Sequence, residues 1–215
     1  MGEAIPPLFM DLWKNYKQVI SDVFPDLVHE QDWCNWKGDL DLDARLYKGK
    51  YFIKAREAEI YNDTSSIYNT IMYPKTGKGL PCFGMDLMGF FEKKVIIVFD
   101  FQHPVENYLF SVGDLLPKAE GTFRFFEPGN HFSEHIYVAK CTMSQVDDHL
   151  ESFANYLTVY RDMVESASPV EEDVQVYSDF DLYMRKLDPV SGYLTKAFGK
   201  EKSEKFVNEF LFTYG

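Results

Sequence analysis

Several β-branched and aromatic runs between Trp33 and His103 are divided by connections of only two or three residues, and this spacing constrains the fold most. The runs are Trp33 to Leu40, Ala44 to Tyr47, Tyr51 to Tyr61, Leu80 to Phe91 and Val95 to His103, with Gly49-Lys50 and Glu92-Lys93-Lys94 as turns. Parallel neighbours need a crossover of about a dozen residues or more, so strands joined this tightly must pair antiparallel, as a meander. Further strands are predicted at Thr122 to Glu127 and His135 to Cys141, and Gly113 to Gly121 reads as the most mobile loop.

The flanks carry a helical period. Leu8, Leu12, Val19 and Val23, with Trp13, Tyr16 and Ile20, predict an amphipathic helix from Pro7 to Phe24 that Pro25 stops. Ser144 with Asp147 is expected to cap a long helix whose apolar stripe is Val146, Leu150, Phe153, Leu157, Tyr160 and Val164. Shorter helices are predicted at Ser178 to Leu187, Val190 to Phe198 and Glu201 to Phe212, with Asp188-Pro189 separating the first two. A helix, then strands, then helices describes an α+β chain. The expectation is a three-layer α/β/α sandwich with a central antiparallel sheet, as one domain over residues 1–215.

Aromatic residues make up 17% of the chain, including 19 Phe and 14 Tyr, which suits an aromatic core and equally a large flat ligand. A net charge of -12 argues against nucleic acid or an anionic membrane as a partner. No run approaches the roughly 18 apolar residues of a membrane span, and no signal-peptide or acylation pattern opens the chain, so a soluble, cytoplasmic monomer is expected. Cys34, Cys82 and Cys141 are too few and too scattered for a disulfide framework or a metal cluster.

Candidate chemistry is sparse. Alternation along Tyr51 to Tyr61 puts Tyr51, Ile53, Ala55, Glu57 and Glu59 on one side, with Phe52, Lys54, Arg56, Ala58 and Ile60 on the other. Asp86 is the one charge in Leu80-Pro-Cys-Phe-Gly-Met-Asp-Leu-Met-Gly-Phe-Phe91. Such surroundings make it either a proton-holding acid or an aspartate that accepts backbone N–H groups in a turn. Asp188, before Pro189, reads by position alone as a turn or cap residue. His131 and His135 have metal-ligand spacing, but Gly129-Asn130 marks a loop there and not the helix such a pair needs. There is no phosphate loop, Ser-His-Asp order or dinucleotide fingerprint, so any redox electrons must come from outside.

Longer stretches carry a resemblance. Lys54-Ala-Arg-Glu-Ala58, Ile67-Tyr-Asn-Thr-Ile71, Tyr73-Pro-Lys-Thr-Gly77, Leu80 to Met88, Lys94 to Pro104, Arg124-Phe-Phe126, Gly129-Asn-His-Phe-Ser133, Tyr177-Ser-Asp-Phe-Asp181 and Leu187-Asp-Pro-Val190 together resemble the ferredoxin-dependent bilin reductases, closest to the phage phycoerythrobilin synthase group. The resemblance implies that biliverdin lies between the sheet and the carboxy-terminal helices. It also implies four-electron reduction to a phycobilin, with no bound cofactor and with electrons from ferredoxin, a separate 2Fe-2S protein.

It implies catalytic roles for Asp86 and Asp188, and substrate contacts for Asn69, Glu57 and Ser133. Arg124 and Lys196 are the cations expected near the substrate's propionates. Where related phycocyanobilin-forming enzymes carry a catalytic histidine, this chain has Asn69, whose amide cannot relay a proton at neutral pH. Phycoerythrobilin is therefore favoured as product, without excluding phycocyanobilin. An acidic ferredoxin needs a local basic edge, and Lys93-Lys94 or Lys196, Lys200, Lys202 and Lys205 could supply it. A bilin carrier without activity is the competing reading, and the pair Asp86 and Asp188 argues for the enzyme.

Overall fold

A computed structural model describes residues 12–75, 79–91, 94–106, 108, 110, 112, 115–119, 130–167, 176–187 and 190–214. Its centre is a seven-stranded sheet, β1 (Val28–Trp36), β2 (Asp41–Lys48), β3 (Phe52–Tyr61), β4 (Ser65–Pro74), β5 (Cys82–Phe90), β6 (Val95–Gln102) and β7 (Tyr137–Cys141). Spatial order equals chain order and every described pairing is antiparallel, which is the meander that the short connections require.

Helices α1 (Lys14–Val23) and α2 (Leu150–Ser166) cover one face. Helices α3 (Val176–Leu187), α4 (Val190–Phe198) and α5 (Lys200–Phe206), the last running on as a π-helical turn over Val207–Leu211, cover the other. The chain is thus an α+β sandwich with the sheet in the middle.

Strand alternation sorts the core. Tyr68, Met72, Phe83, Met85, Leu87, Ile97, Phe99 and Phe101 point towards α1 and α2, where they meet Tyr16, Phe153, Tyr156 and Tyr160. Buried tyrosines bring a hydroxyl that needs a partner, and several find a backbone carbonyl that pegs a helix down. Tyr16 donates to the Val146 oxygen at 2.9 Å, Tyr160 to that of Pro81 at 3.1 Å, and Tyr177 of α3 to that of Pro74 at 2.7 Å. Leu42, Ala44, Ala58 and Ile60 pack on the opposite side against Leu194, Phe206 and Phe210.

Several expectations shift in physical detail. β1 begins earlier than Trp33 because an edge strand exposed along Val28 to Asp32 has no apolar alternation to announce it, and two bulges interrupt its pairing. β4 is a strand that the pattern misses. Its start is dominated by turn formers, with Asn62 Oδ1 accepting the Thr64 and Ser65 N–H groups at 2.9 Å each. The predicted alternation of β3 fails at its start: Ile53 is an extra residue between the Phe52–Pro74 and Lys54–Tyr73 pairs. This bulge turns Phe52 to the α1 side with Ala55, and Ile53 to the α3 side.

A 3₁₀ turn, Met143–His149, precedes α2, and the box closing it is Thr142 with Gln145, whose Oε1 accepts the Thr142 N–H at 3.1 Å. Ser144 with Asp147 does not form that cap. Asp147 accepts from Asn15 of α1 instead, at 2.8 Å. The strand predicted at Thr122 to Glu127, the start of the first helix and part of the Gly113 to Gly121 loop lie outside the described residues.

Phe99 has no exposure and sits 4.4 Å, ring to ring, from Tyr137, 4.8 Å from Tyr156 and 5.3 Å from Phe153. Phe99→Ala is expected to cost about 3–5 kcal/mol in chemical denaturation. A midpoint equal to that of the wild type would contradict this packing.

Candidate active site

The register of β3, β4 and β5 sets out the site. Asn69 of β4 lies directly opposite Asp86 of β5 and opposite Ala58 of β3, with Arg56 one step along the same face. The result is a chain of donors. Arg56 Nη1 donates to Asn69 Oδ1, and Asn69 Nδ2 donates to Asp86 Oδ1. Arg56 is only 2% exposed, and its Nε donates to the Leu211 carbonyl at 2.8 Å, at the end of the π-helical turn. Phe210 and Phe212 lie 5.8 and 6.0 Å from the guanidinium.

Asp86 is half-buried, and burial pushes its carboxyl above the usual range while Asn69 and the Arg56 cation pull it back down. The apolar residues next to it in sequence do not cause this. Phe83, Met85 and Leu87 point to the other face, and the neighbour across the β5–β6 pair is Val98. Two residues before Asp86, on the same face, Gly84 lets the Gln102 carboxamide lie against the backbone. A Cβ there would meet Gln102 Nε2 at 2.6 Å.

A second acid on this face was not singled out from the sequence. Asp100 of β6 is fully buried and accepts the Ser133 N–H at 2.9 Å and the Ser133 hydroxyl. Burial pushes its carboxyl up to about 8, against the pull of those bonds. The signal was the one that exposed Asp86, a lone acid in an apolar strand, here Val98-Phe-Asp-Phe101. Arg56 carried a weaker signal, a cation in the interior of a strand.

Ser133 therefore meets the site through Asp100, as part of a loop that is also tied by His131. His131 takes a left-handed φ of 69° and exchanges bonds with His103, its Nδ1 lying 2.8 Å from the His103 carbonyl oxygen and its own carbonyl accepting the His103 N–H at 2.8 Å. His135 Nδ1 lies 3.2 Å from the Pro117 oxygen. Both imidazoles of the metal-like pair are thus engaged with backbone.

Glu57 does not join Asp86. An odd number of steps along β3 from Arg56 turns it to the α1 face, where its carboxylate accepts from Arg45 at 2.8 Å, Tyr47 at 2.6 Å and Tyr68 at 2.9 Å. It lines a cavity of about 450 Å³ there, with Lys17, His29 and Tyr68. The position facing Asn69 on the site side is Ala58, which brings no acid.

Lys196 is exposed in the last turn of α4, roughly 200° around the helix from the buried Leu194 and so turned away from the sheet. Arg124 and Asp188 lie outside the described residues. The helices on either side of Asp188 cover the site face: Met184 of α3 and Val190 of α4 both pack into its apolar clusters.

The profile of the ferredoxin-dependent bilin reductase family matches residues 30–213. A 15,16-dihydrobiliverdin:ferredoxin oxidoreductase from Nostoc punctiforme is 30% identical over 170 residues, 70% of this chain and 69% of the relative. The enzyme of that name from Gloeobacter violaceus is 29% identical over 168 residues, 69% of this chain and 68% of the relative. The structure of tomato phytochromobilin synthase in complex with biliverdin shares the fold, with a TM-score of 0.65 at 16% identity over 93% of this chain and 83% of the tomato protein.

The Asp100 carboxyl binds its proton more tightly in the folded protein than in the unfolded chain, where it has its ordinary value near 3.8. Its contribution to stability is therefore largest below that value and is lost as pH rises towards about 8. Asp100→Asn removes the titration. The wild type's stability advantage over this variant should narrow as denaturation is moved from about pH 5 to about pH 8; an advantage that widens would contradict the assignment.

Proposed function

Since the chain belongs to the ferredoxin-dependent bilin reductases, we propose that it reduces biliverdin IXα with electrons from reduced ferredoxin, and that Asp86 supplies a proton from the sheet side. The observation that carries this reading is the Arg56–Asn69–Asp86 chain, which fixes a half-buried acid on the sheet face covered by the carboxy-terminal helices.

Each double bond reduced takes up two electrons and two protons, while ferredoxin delivers electrons singly, so a bilin radical forms between deliveries. An acid whose affinity for a proton is raised by burial holds it until electron uptake makes the tetrapyrrole basic enough to take it. Exclusion of water by the apolar face protects the radical. Asp188 is proposed as the second proton source, on the family resemblance.

The 15,16 bridge is the proposed site of the first reduction, supported by the names of the Nostoc punctiforme and Gloeobacter violaceus relatives. Asn69 and Val98 flank Asp86 across the sheet with an amide and an isopropyl group, and Ala58 beyond Asn69 brings only a methyl, so none of them adds an acid for the D-ring vinyl group. Onward reduction of the A ring would give phycoerythrobilin, making the overall change a four-electron one. Ferredoxin is proposed to dock at the exposed cations of α4 and α5, where Lys202 and Lys205 lie 5.2 and 6.0 Å over Trp36 and Trp33.

An anaerobic assay with biliverdin, ferredoxin, its reductase and NADPH tests the reading by absorbance and chromatography. The wild type should convert biliverdin to 15,16-dihydrobiliverdin and then phycoerythrobilin. Asp86→Asn should bind the pigment with the same spectral shift and turn over about 10²–10⁴ times more slowly. A wild type that only binds the pigment is a carrier, and an Asp86→Asn enzyme at full rate removes Asp86 as donor.

A further inference from the structure

We infer that Arg56 is a positioning residue for this reaction: by holding the Asn69 carbonyl oxygen it fixes which end of that amide meets Asp86, and so which Asp86 oxygen carries the transferable proton. The inference rests on the reading of Asp86 as proton donor. An asparagine amide has one accepting and one donating end, and a carboxamide free to rotate would offer either to a neighbouring carboxyl. The guanidinium has only donors, so it takes Asn69 Oδ1 and leaves Nδ2 for Asp86. Asp86 Oδ1 must then accept, which leaves Oδ2 as the atom that holds the proton and releases it to substrate.

Arg56 is itself held, because its Nε is committed to the Leu211 carbonyl and the ring of Phe210 flanks its plane. The tail it grips is held by neighbours as well. Lys54 donates to the Thr213 oxygen at 2.7 Å, and Arg185 donates to the Phe212 and Asn208 oxygens at 2.6 and 3.0 Å. The orientation of Asn69 thus depends on a carboxy-terminal segment remote in sequence.

After proton transfer the new Asp86 carboxylate faces an N–H donor backed by a cation, which favours release. Apart from Arg56 and Asp86, the buried or half-buried acids, lysines and arginines on this layer, among the described residues, are Lys54 of β3, Asp100 of β6, and Asp181 and Arg185 of α3; the remaining charges of α3 to α5 are exposed. Asp100 is occupied by Ser133, and Asp181 by the Tyr73 hydroxyl at 2.7 Å and the Tyr214 N–H at 2.9 Å. Among the described residues, Arg56 is the cation whose field acts on Asp86.

Turnover is to be measured against pH for the wild type, Arg56→Met, Arg56→Gln, Arg56→Lys and Asp86→Asn, with the biliverdin absorbance shift as the check on folding. Arg56→Met should lose on the order of tenfold in kcat at neutral pH, with pigment affinity little changed. Without the cation Asp86 holds its proton to higher pH, so the alkaline fall in rate should move up by about one pH unit. Arg56→Lys should return the limb towards its wild-type position without full kcat. Arg56→Gln, which keeps a donor and drops the charge, should keep more kcat than Met but show the displaced limb; Lys and Gln decide the matter if Met fails to bind pigment.

Wild-type kcat and an unmoved limb in a pigment-binding Arg56→Met or Arg56→Gln enzyme would overturn the inference. If Asp86→Asn is slow while the Arg56 variants behave as wild type, the inference alone fails. If Asp86→Asn turns over at full rate, the donor reading fails with it.

Discussion

A guanidinium cannot be left bare inside a protein, and Arg56, almost wholly buried in the middle of β3, must have every direction of its fork answered. Two of the answers join separate parts of the fold. The Leu211 carbonyl reaches it from the end of the carboxy-terminal helices, and Asn69 reaches it from the neighbouring strand. Satisfying one buried cation therefore ties the third layer to the sheet and sets the amide that faces Asp86. A π-helical turn at Val207–Leu211 brings that carbonyl there, a deviation from α-helix of the kind found at functional sites.

The two faces of the sheet divide the labour. Towards α1 and α2, rings stack on rings, with Phe101 and Tyr156 5.6 Å apart and nearly parallel, and tyrosine hydroxyls finish on strand-end carbonyls. Towards α3 to α5, the apolar clusters are smaller and are interrupted by Arg56, Asn69, Asp86 and Asp100. A rigid aromatic floor on one side lets the other carry charged groups in fixed positions. Glu57 shows how strict this division is: it is one residue from Arg56 and belongs to a different network on the opposite face.

Much of this was legible in the residues. Short connections gave the antiparallel meander, and helical periods gave α2 and the three late helices, because both signals are local. β4 was hidden by the Asn62 turn and by a mixture of polar and apolar side chains that only burial between two strands explains. The edge strand β1 was misplaced because exposure removes alternation. Asp86 stood out as an isolated acid, yet its apolar sequence neighbours proved to face away. Glu57 joins the site by resemblance, whereas the parity of the strand puts it on the face opposite Asp86. Arg56 and Asp100 were harder to see because their partners, Leu211 and Ser133, are far along the chain.

The proposed chemistry turns on Asp86, whose carboxyl is pushed above the usual range by burial. Carbon-13 NMR of the Asp86 side-chain carboxyl, followed against pH in the pigment-free protein, measures that directly. The account predicts a titration midpoint above the ordinary carboxylate value of 3.8. A midpoint at or below it would mean that Asn69 and Arg56 outweigh burial, and the group would be a permanent carboxylate with no proton to give.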